Sequence, residues 1–545
     1  MLHSCSVRVL PIFLLTLVSL QAGAQSFRVQ CPTSTITHPS AANNNSEPAY
    51  IGPTTFALGP QGYATPSANV NGAIKCQQIS GGDGYATMGD GTQTFMFSFG
   101  PLSGLADIAS GLPGTEVPSV FNTVYPGTLV PGDPATTDRA TAVPYSIGSG
   151  GSSIPAFTYN GAIGLTPDVD CLADPACAAT IASGGLDGHV DPRQIMDVGV
   201  MNGNIPAPMM AFDEDDEFFL TLTNVGMIMR PDLFEQHTVH FHGYPNASSL
   251  YDGVPDASVA INIGGSFTYY YLAPDAGTYF WHCHITPPEH LQMGMVGQLY
   301  VRPRQNRVPA GNSLYAALRT QQTDLRTACN SAADILCSNP LPATSNAVAR
   351  ATTGKYAYND GDGSTYYDVE YPIQIHGFDP NFHFVGMTFN PEAFVDMKDK
   401  YFLLNGRSYP DTVTPGPQQT QSSDGRAHFS QPLPSIINIP AGKKALLRIS
   451  DLDVTEYQTL ASLGIPMHVI GYNAKLLRDQ AGNNLDYYTN SITLAGGESL
   501  DVILDASNTT LYPSGSVFYL FTPNLDHLSN DAENFGGLMT EVRIN

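Results

Sequence analysis

The sequence predicts an all-β protein: two antiparallel sandwiches joined by a connector, preceded by an irregular N-terminal extension and a long insertion. Three observations predict it. Short runs rich in Val, Ile, Thr, Tyr and Phe recur along the second two thirds of the chain, each bounded by Gly, Pro or Asp. The 52 Gly and 42 Pro punctuate the whole of the 545 residues, which leaves little room for long helices. The same style of strand and turn appears twice, before residue 305 and after residue 365. The balance of 23 Lys+Arg against 48 Asp+Glu gives a formal charge of −25, which argues against nucleic acid or an anionic membrane surface as partner and favours cations.

Residues 1–24 read as a signal peptide. Arg8 precedes an apolar run over 9–20, and Ala22-Gly23-Ala24 forms a small-x-small cleavage pattern before Gln25. No later segment has the ~18 unbroken apolar residues of a membrane span. The expectation is an exported protein, periplasmic or extracellular. Residues 25–194 are expected to hold an irregular arm, a first strand over 92–99 (TQTFMFSF) and a loop insertion over 103–190. Residues 195–305 form the first sandwich, with strands over 217–224, 238–242, 266–272, 278–281 and 297–301. Residues 306–364 are a connector. Residues 365–545 form the second sandwich, with strands over 445–449, 468–470, 499–504 and 516–521. A weak repeat lays 277–284 on 515–522 and places Leu520, Phe521 and Thr522 where the first copy has His282, Cys283 and His284.

Cleavage removes Cys5 and leaves an odd number of cysteines in an oxidising compartment, so one stays unpaired. Cys171/Cys177, Cys329/Cys337 and Cys31/Cys76 could pair; the natural leftover is Cys283, flanked by two histidines. By proportion the 14 histidines would put about 1.4 in the window 237–290, yet His237, His240, His242, His282, His284 and His290 all fall there. On a strand, residues i and i+2 share a face. His240 and His242 therefore project together, as do His282 and His284, while Cys283 points the other way. One strand can offer a thiolate to one metal and two imidazoles to another. A thiolate, two imidazoles and a weak thioether are the ligand set of a blue-copper centre, and His237, Cys283, His290 and Met295 supply it. Zinc fits less well, because a thioether is not its habitual ligand.

The run His237-Thr-Val-His240-Phe-His242-Gly243 resembles the His-x-x-His-x-His-Gly motif of multicopper oxidases. The segment 277–285 (GTYFWHCHI), followed by His290-Leu-Gln-Met-Gly294-Met295, resembles their His-Cys-His signature. Segments 204–208 (NIPAP), 404–411 (LNGRSYPD) and 466–471 (PMHVIG) are similar to the family as well. The resemblance implies two cupredoxin-like Greek-key sandwiches with copper as cofactor. It makes His237, Cys283 and His290 equatorial ligands of a type 1 copper, with Met295 axial. His240, His242, His282 and His284 become half of the ligands of a second, dioxygen-reducing centre. Electrons from a small reducing substrate, such as a phenol or a metal ion, or from a redox protein, would enter by the edge of His290 and pass through Cys283.

Two departures stand out. Residues 285–289 (ITPPE) make the gap between His284 and His290 two residues longer than the usual oxidase spacing, and a full trinuclear cluster needs eight histidines where four stand in motif context. The second sandwich offers His376, His383, His428, His468 and His527 singly. The segment around His468 resembles the one through which copper nitrite reductases lend a histidine to a neighbouring subunit. That makes His468 a candidate metal ligand in a homo-oligomer and opens two alternatives, an interface copper that reduces nitrite and an electron-transfer or copper-binding protein without oxidase activity. His240 stands where the nitrite reductases have an aspartate, which favours the oxidase pattern. The run 213–217 (DEDDE) is expected to be a solvated turn. Glu289 could steer a reducing metal ion toward His290. Met209, Met210, Met227 and Met229 are expected to fill core, and Trp281 to pack beside the copper strand.

Overall fold

In a computed structural model of the protein, the described residues are 30–60, 62–122, 144–145, 152–153, 203–227, 230, 233, 235–243, 248–263, 265–273, 275–324, 339–387, 393–421 and 427–545. The signal segment, the cysteines at 171, 177, 329 and 337, and Met229 lie outside them.

Two sandwiches are present, and the first begins earlier than expected. Its strands are β1 (Ile74–Thr87), β2 (Gln93–Pro101), β3 (Met210–Asp213), β4 (Glu217–Gly226), β5 (His240–Phe241), β6 (Ser266–Leu272), β7 (Gly277–His282) and β8 (Val296–Arg302). One sheet runs β6-β4-β1-β2 and the other β3-β8-β7-β5. The parallel pairings β1 with β4 and β3 with β8 cannot be hairpins, so the chain crosses between strands that are distant in sequence. Residues 74–101 therefore supply half of one sheet, although the sequence reading placed them ahead of the sandwich. Residues 103–122, expected as loop, pack on this sheet through two short helices and a bridge between Cys76 and Glu116. Cys31 and Cys76 form a disulfide that pins the arm to β1.

The second sandwich holds β9 (Val369–Phe378), β10 (Tyr401–Leu404), β11 (Ile437–Ile439), β12 (Lys444–Asp451), β13 (Gln458–Leu463), β14 (Met467–Tyr472), β15 (Ser491–Leu494), β16 (Glu498–Asp505), β17 (Val517–Phe521) and β18 (Met539–Ile544). The larger sheet contains β10-β9-β12-β16-β14 and the smaller is β11-β18-β17-β13-β15. Alternation of Ile, Leu and Val on β9, β12, β14 and β16 fills a core that includes Ile373, Ile375, Leu447, Ile449, Val469 and Val502.

The first core is aromatic and contains Trp281, Cys283 and Met295, with Phe382 and Met397 of the second unit packed into it. Between the sandwiches polar bonds add to these apolar contacts. The Thr278 hydroxyl donates to Asp501 (2.6 Å), the Ser499 hydroxyl to the Thr278 carbonyl (2.7 Å), and the Gln298 amide to the Arg448 carbonyl (2.8 Å). These bonds hold the β7/β8 face of the first sandwich against the larger sheet of the second.

Candidate metal centres

Strand β7 delivers His282 and releases the chain at Cys283, whose N–H donates to the Met295 carbonyl at 3.2 Å. The loop between them contains a short helix, α1 (Pro287–Gln292), that brings His290 back over the sulfur. Nδ1 of His290 lies 3.2 Å from Cys283 Sγ and Nδ1 of His237 lies 4.0 Å from it. His237, Cys283 and His290 are all fully buried, as is Met295. The Thr238 N–H points at the sulfur from 3.4 Å. His237 is held by paired backbone bonds to Ile261, and its ring lies against Gly81, where an added Cβ would come within 2.6 Å of the imidazole. Burial pushes the His237 imidazole well below its usual range, so it stays neutral. For His290, burial pulls down, but the sulfur and Glu235 outweigh it and raise the imidazole to about 9 in the metal-free chain.

The donor set tests well against copper. Two Nδ1 atoms and a thiol converge in a dry pocket beside a buried thioether. His237 Nε2 finds no hydrogen-bond partner, and the 4.0 Å from His237 Nδ1 to the sulfur is long for a hydrogen bond but suits two ligands of one ion.

The second cluster lies on the other face of the same strand. His240 and His282 are directly paired between β5 and β7. Nδ1 of His240 contacts the Asp252 carbonyl at 2.6 Å, and Nδ1 of His282 contacts the Cys283 carbonyl at 2.6 Å. A carbonyl only accepts, so each Nδ1 carries the hydrogen and each Nε2 presents a lone pair. Nε2 of His242 and Nε2 of His282 are 2.8 Å apart, and ligand atoms of His240, His242 and His282 lie within 4.8 Å of one another. The His284 ring flanks them, centred 5.0 Å from His240 and 5.5 Å from His282. Burial, with the neighbouring imidazoles, lowers His242 to about 4 and His282 to about 3. Neutral imidazoles crowded nitrogen to nitrogen are suited to a shared cation. A cavity of about 170 Å³ opens beside His242, lined by Thr278, Phe280, Asn473 and Ser499.

Other expected residues fall elsewhere. His468 sits in the second sandwich with Nε2 3.1 Å from Asp486 and its ring stacked on Tyr488, and it joins no cluster of three ligand atoms among the described residues. His376, His383 and His527 are buried and face protein groups, and the side chain of His428 lies outside the described residues. The run 213–217 is no solvated turn: all five residues are buried, with Asp215 bound by Arg304 (2.7 Å) and Arg307 (3.2 Å) and Glu217 by His38 (2.8 Å). Met209, Met210 and Met227 are buried, and Trp281 packs on Phe99 with centroids 4.9 Å apart. The carboxylate at the His290 edge is Glu235, 3.4 Å from Nε2, and not Glu289, which burial pushes above its usual range. No motif pointed to Glu235; its place two residues before His237 was the available signal.

An all-β sandwich thus brings a buried Cys and two His together beside a His cluster, an arrangement suited to binding metal. Residues 187–306 match the family described as Multicopper oxidase. Multicopper oxidase MCE of Talaromyces pinophilus is 34% identical over 129 residues, covering 23% of this chain and 19% of that protein. Laccase-1 of Emericella nidulans is 33% identical over 136 residues, covering 25% of this chain and 20% of that one. Among solved structures, the Blue Copper Oxidase from Nitrosomonas europaea aligns with 64% of this chain and 79% of its own at 21% identity and a TM-score of 0.41. Over residues 187–306 the chain is thus similar to the multicopper oxidase family. It matches about a fifth of the length of these curated relatives.

Proposed function

We propose that the protein is an exported copper oxidoreductase of the multicopper-oxidase type, oxidising a small donor such as a phenol or a metal ion, with dioxygen as acceptor. The observation that carries the reading is the alternation at residues 282–284, where a buried free sulfur faces two imidazole Nδ1 atoms while its neighbours face a second histidine group. His237, Cys283, His290 and Met295 would hold one copper; His240, His242, His282 and His284 would hold the second centre. Bound copper would supply one-electron chemistry at the first centre and multi-electron reduction of the acceptor at the second.

The chain's own groups prepare both. The partly exposed Glu235 covers the buried His290 Nε2 at 3.4 Å and marks where a donor can approach, and the hydrogen bond from His290 keeps this carboxyl below its usual range and charged. Aromatic packing by Phe97, 5.1 Å from the His290 ring and 6.4 Å from that of His237, excludes water from the sulfur. The Asp252 and Cys283 carbonyls fix the imidazole tautomers of the second group. The Cys31–Cys76 disulfide supports an oxidising compartment and hence the signal-peptide reading of residues 1–24. His468 joins the assignment only across a subunit contact, and a copper content unchanged in His468→Ala removes it.

The deciding experiment measures copper per chain, types it by spin resonance and follows oxygen uptake with a phenol or Fe(II). More than one copper per chain, an intense visible band and oxygen consumption are expected. A single copper without oxygen uptake overturns the oxidase reading.

A further inference from the structure

The loop from Cys283 to Met295 is gripped from two sides. Internally it is a tight unit: the Met293 N–H donates to Glu289, the Gly294 N–H to Leu291 and the Met295 N–H to His290, each at 2.9 Å. From the first sandwich, the Ser98 hydroxyl donates to the Gly294 carbonyl at 2.5 Å. From the second sandwich, the grip falls on one side chain. Gln292 is fully buried, its amide N–H donating to Asp399 Oδ1 at 2.9 Å and its Oε1 accepting from the Asp379 N–H at 2.9 Å.

Both partners are themselves fixed. Asp379 begins the helix α2 (Pro380–Met387), accepting from the Asn381 and Phe382 N–H groups, while its other oxygen accepts from the Lys398 N–H. The Asp399 carboxyl also accepts from the Thr455 hydroxyl. His383 of α2 lies beneath, with ring nitrogens 2.6 Å from the Phe95 carbonyl and 2.9 Å from the Gln292 carbonyl. Burial lowers that imidazole to about 3, so it carries one N–H and serves one of the two carbonyls. The tether is thus the Gln292 amide.

The geometry points to Gln292 as a positioning residue: through Asp379 and Asp399 the second sandwich sets where His290 and Met295 stand relative to the Cys283 sulfur. This rests on the proposed blue-copper reading of those residues. Gln292 touches no donor atom. It lies two residues after His290 and three before Met295, in a loop too tightly bonded to move one without the other. Untethered, the loop can relax toward the tetragonal arrangement that Cu(II) prefers, which stabilises the oxidised state.

The test uses the full copper-loaded chain and reads the midpoint potential, the visible band and thermal stability. Gln292→Met keeps the volume and breaks both bonds. It should lower the equilibrium constant for reduction ~3-fold or more, about 28 mV at 59 mV per tenfold for one electron, and weaken the band. The swap Gln292→Glu with Asp399→Asn reverses donor and acceptor and should restore both readouts. Val542→Ala is the control. That side chain is buried in the core of the second sandwich on β18 and makes no hydrogen bond to the tether, so its loss should lower stability and leave the potential alone. If Gln292→Met does not fold, Gln292→Asn, too short to reach both partners, is read in its place.

An unshifted potential and band in the Gln292 variant, or an equal shift in Val542→Ala, overturns the inference. Absence of the intense band in the unmutated chain overturns the blue-copper reading instead, so the two failures are told apart.

Discussion

Glu235→Gln removes one negative charge from the rim of His290 without touching a proposed copper ligand atom. Because the hydrogen bond from His290 holds this carboxyl below its usual range, it is charged at any working pH near neutrality. A donor that docks on the surface over the buried His290 ring, beside the partly exposed Glu235, stands ~7 Å from the carboxylate. For a divalent donor in water the interaction is then about 1.2 kcal/mol, reduced to about 0.9 at 0.01 M salt and about 0.5 at 0.15 M by screening. Each is favourable for a dication and unfavourable for a dianion. The variant should therefore shift the ratio of kcat/KM for a dicationic over a dianionic one-electron donor downward by about 20-fold at low salt and about 5-fold at 0.15 M. Steady-state oxygen uptake with the two donors at both ionic strengths is the assay. A ratio that does not move, or moves equally at both salts, refutes electron entry at the His290 edge.

Cys283→Ser should abolish the intense visible band while far-UV dichroism stays that of the unmutated chain; a surviving band removes the sulfur from the centre. Stripping copper with a chelator under reducing conditions should lower Tm by about 4 °C, from about 4 kcal/mol of binding linkage at a thousandfold Kd, and re-addition should restore it. At Glu217, burial alone would raise the carboxyl, but bonds from His38, Thr35 and Thr37 bring it from 4.5 down to about 2. A depressed folded-state value gives stability that is complete above 4.5 and lost as pH falls toward 2. Glu217→Gln should therefore cost about 3 kcal/mol by urea unfolding at pH 7, and the difference should shrink steeply below pH 4. A difference that is constant with pH refutes the linkage.

The strands that carry the centres were legible because alternation and turn residues agree there. The segment at 266–272 was read with the observed limits, and 217–224 within two residues. Strand β1 was not legible. Its Gly81, Gly82 and Gly84 lower strand propensity, and the reason for them is tertiary: Gly81 makes room for the His237 ring and Gly84 packs on Gly203. The acidic run looked solvated because its counter-charges, Arg304 and Arg307, lie about 90 residues on, where no local pattern links them. Glu289 was singled out by its adjacency to His290, and no motif in the sequence drew attention to Glu235. On the short helix, however, neighbours point about 100° apart, and the loop fold brings Glu235, two residues before His237, into reach instead.

The two clusters depend on one register. His282 pairs with His240 on one side and Val296 on the other, so a shift of β7 by a single residue would exchange its faces along the whole strand. The sulfur would leave the core, and the imidazoles would lose the cavity beside His242. The Trp281 ring holds against such a slip. It is fully buried, fits over Gly297, where any Cβ would collide with it, and packs on Phe99 of the opposite sheet. The peptide that follows links the clusters directly, since the Cys283 carbonyl holds the His282 imidazole at 2.6 Å while the Cys283 side chain meets His290. A displacement of the sulfur is thus felt by an imidazole of the second group through one peptide unit, so the two sites are built as one device whose parts cannot be tuned independently.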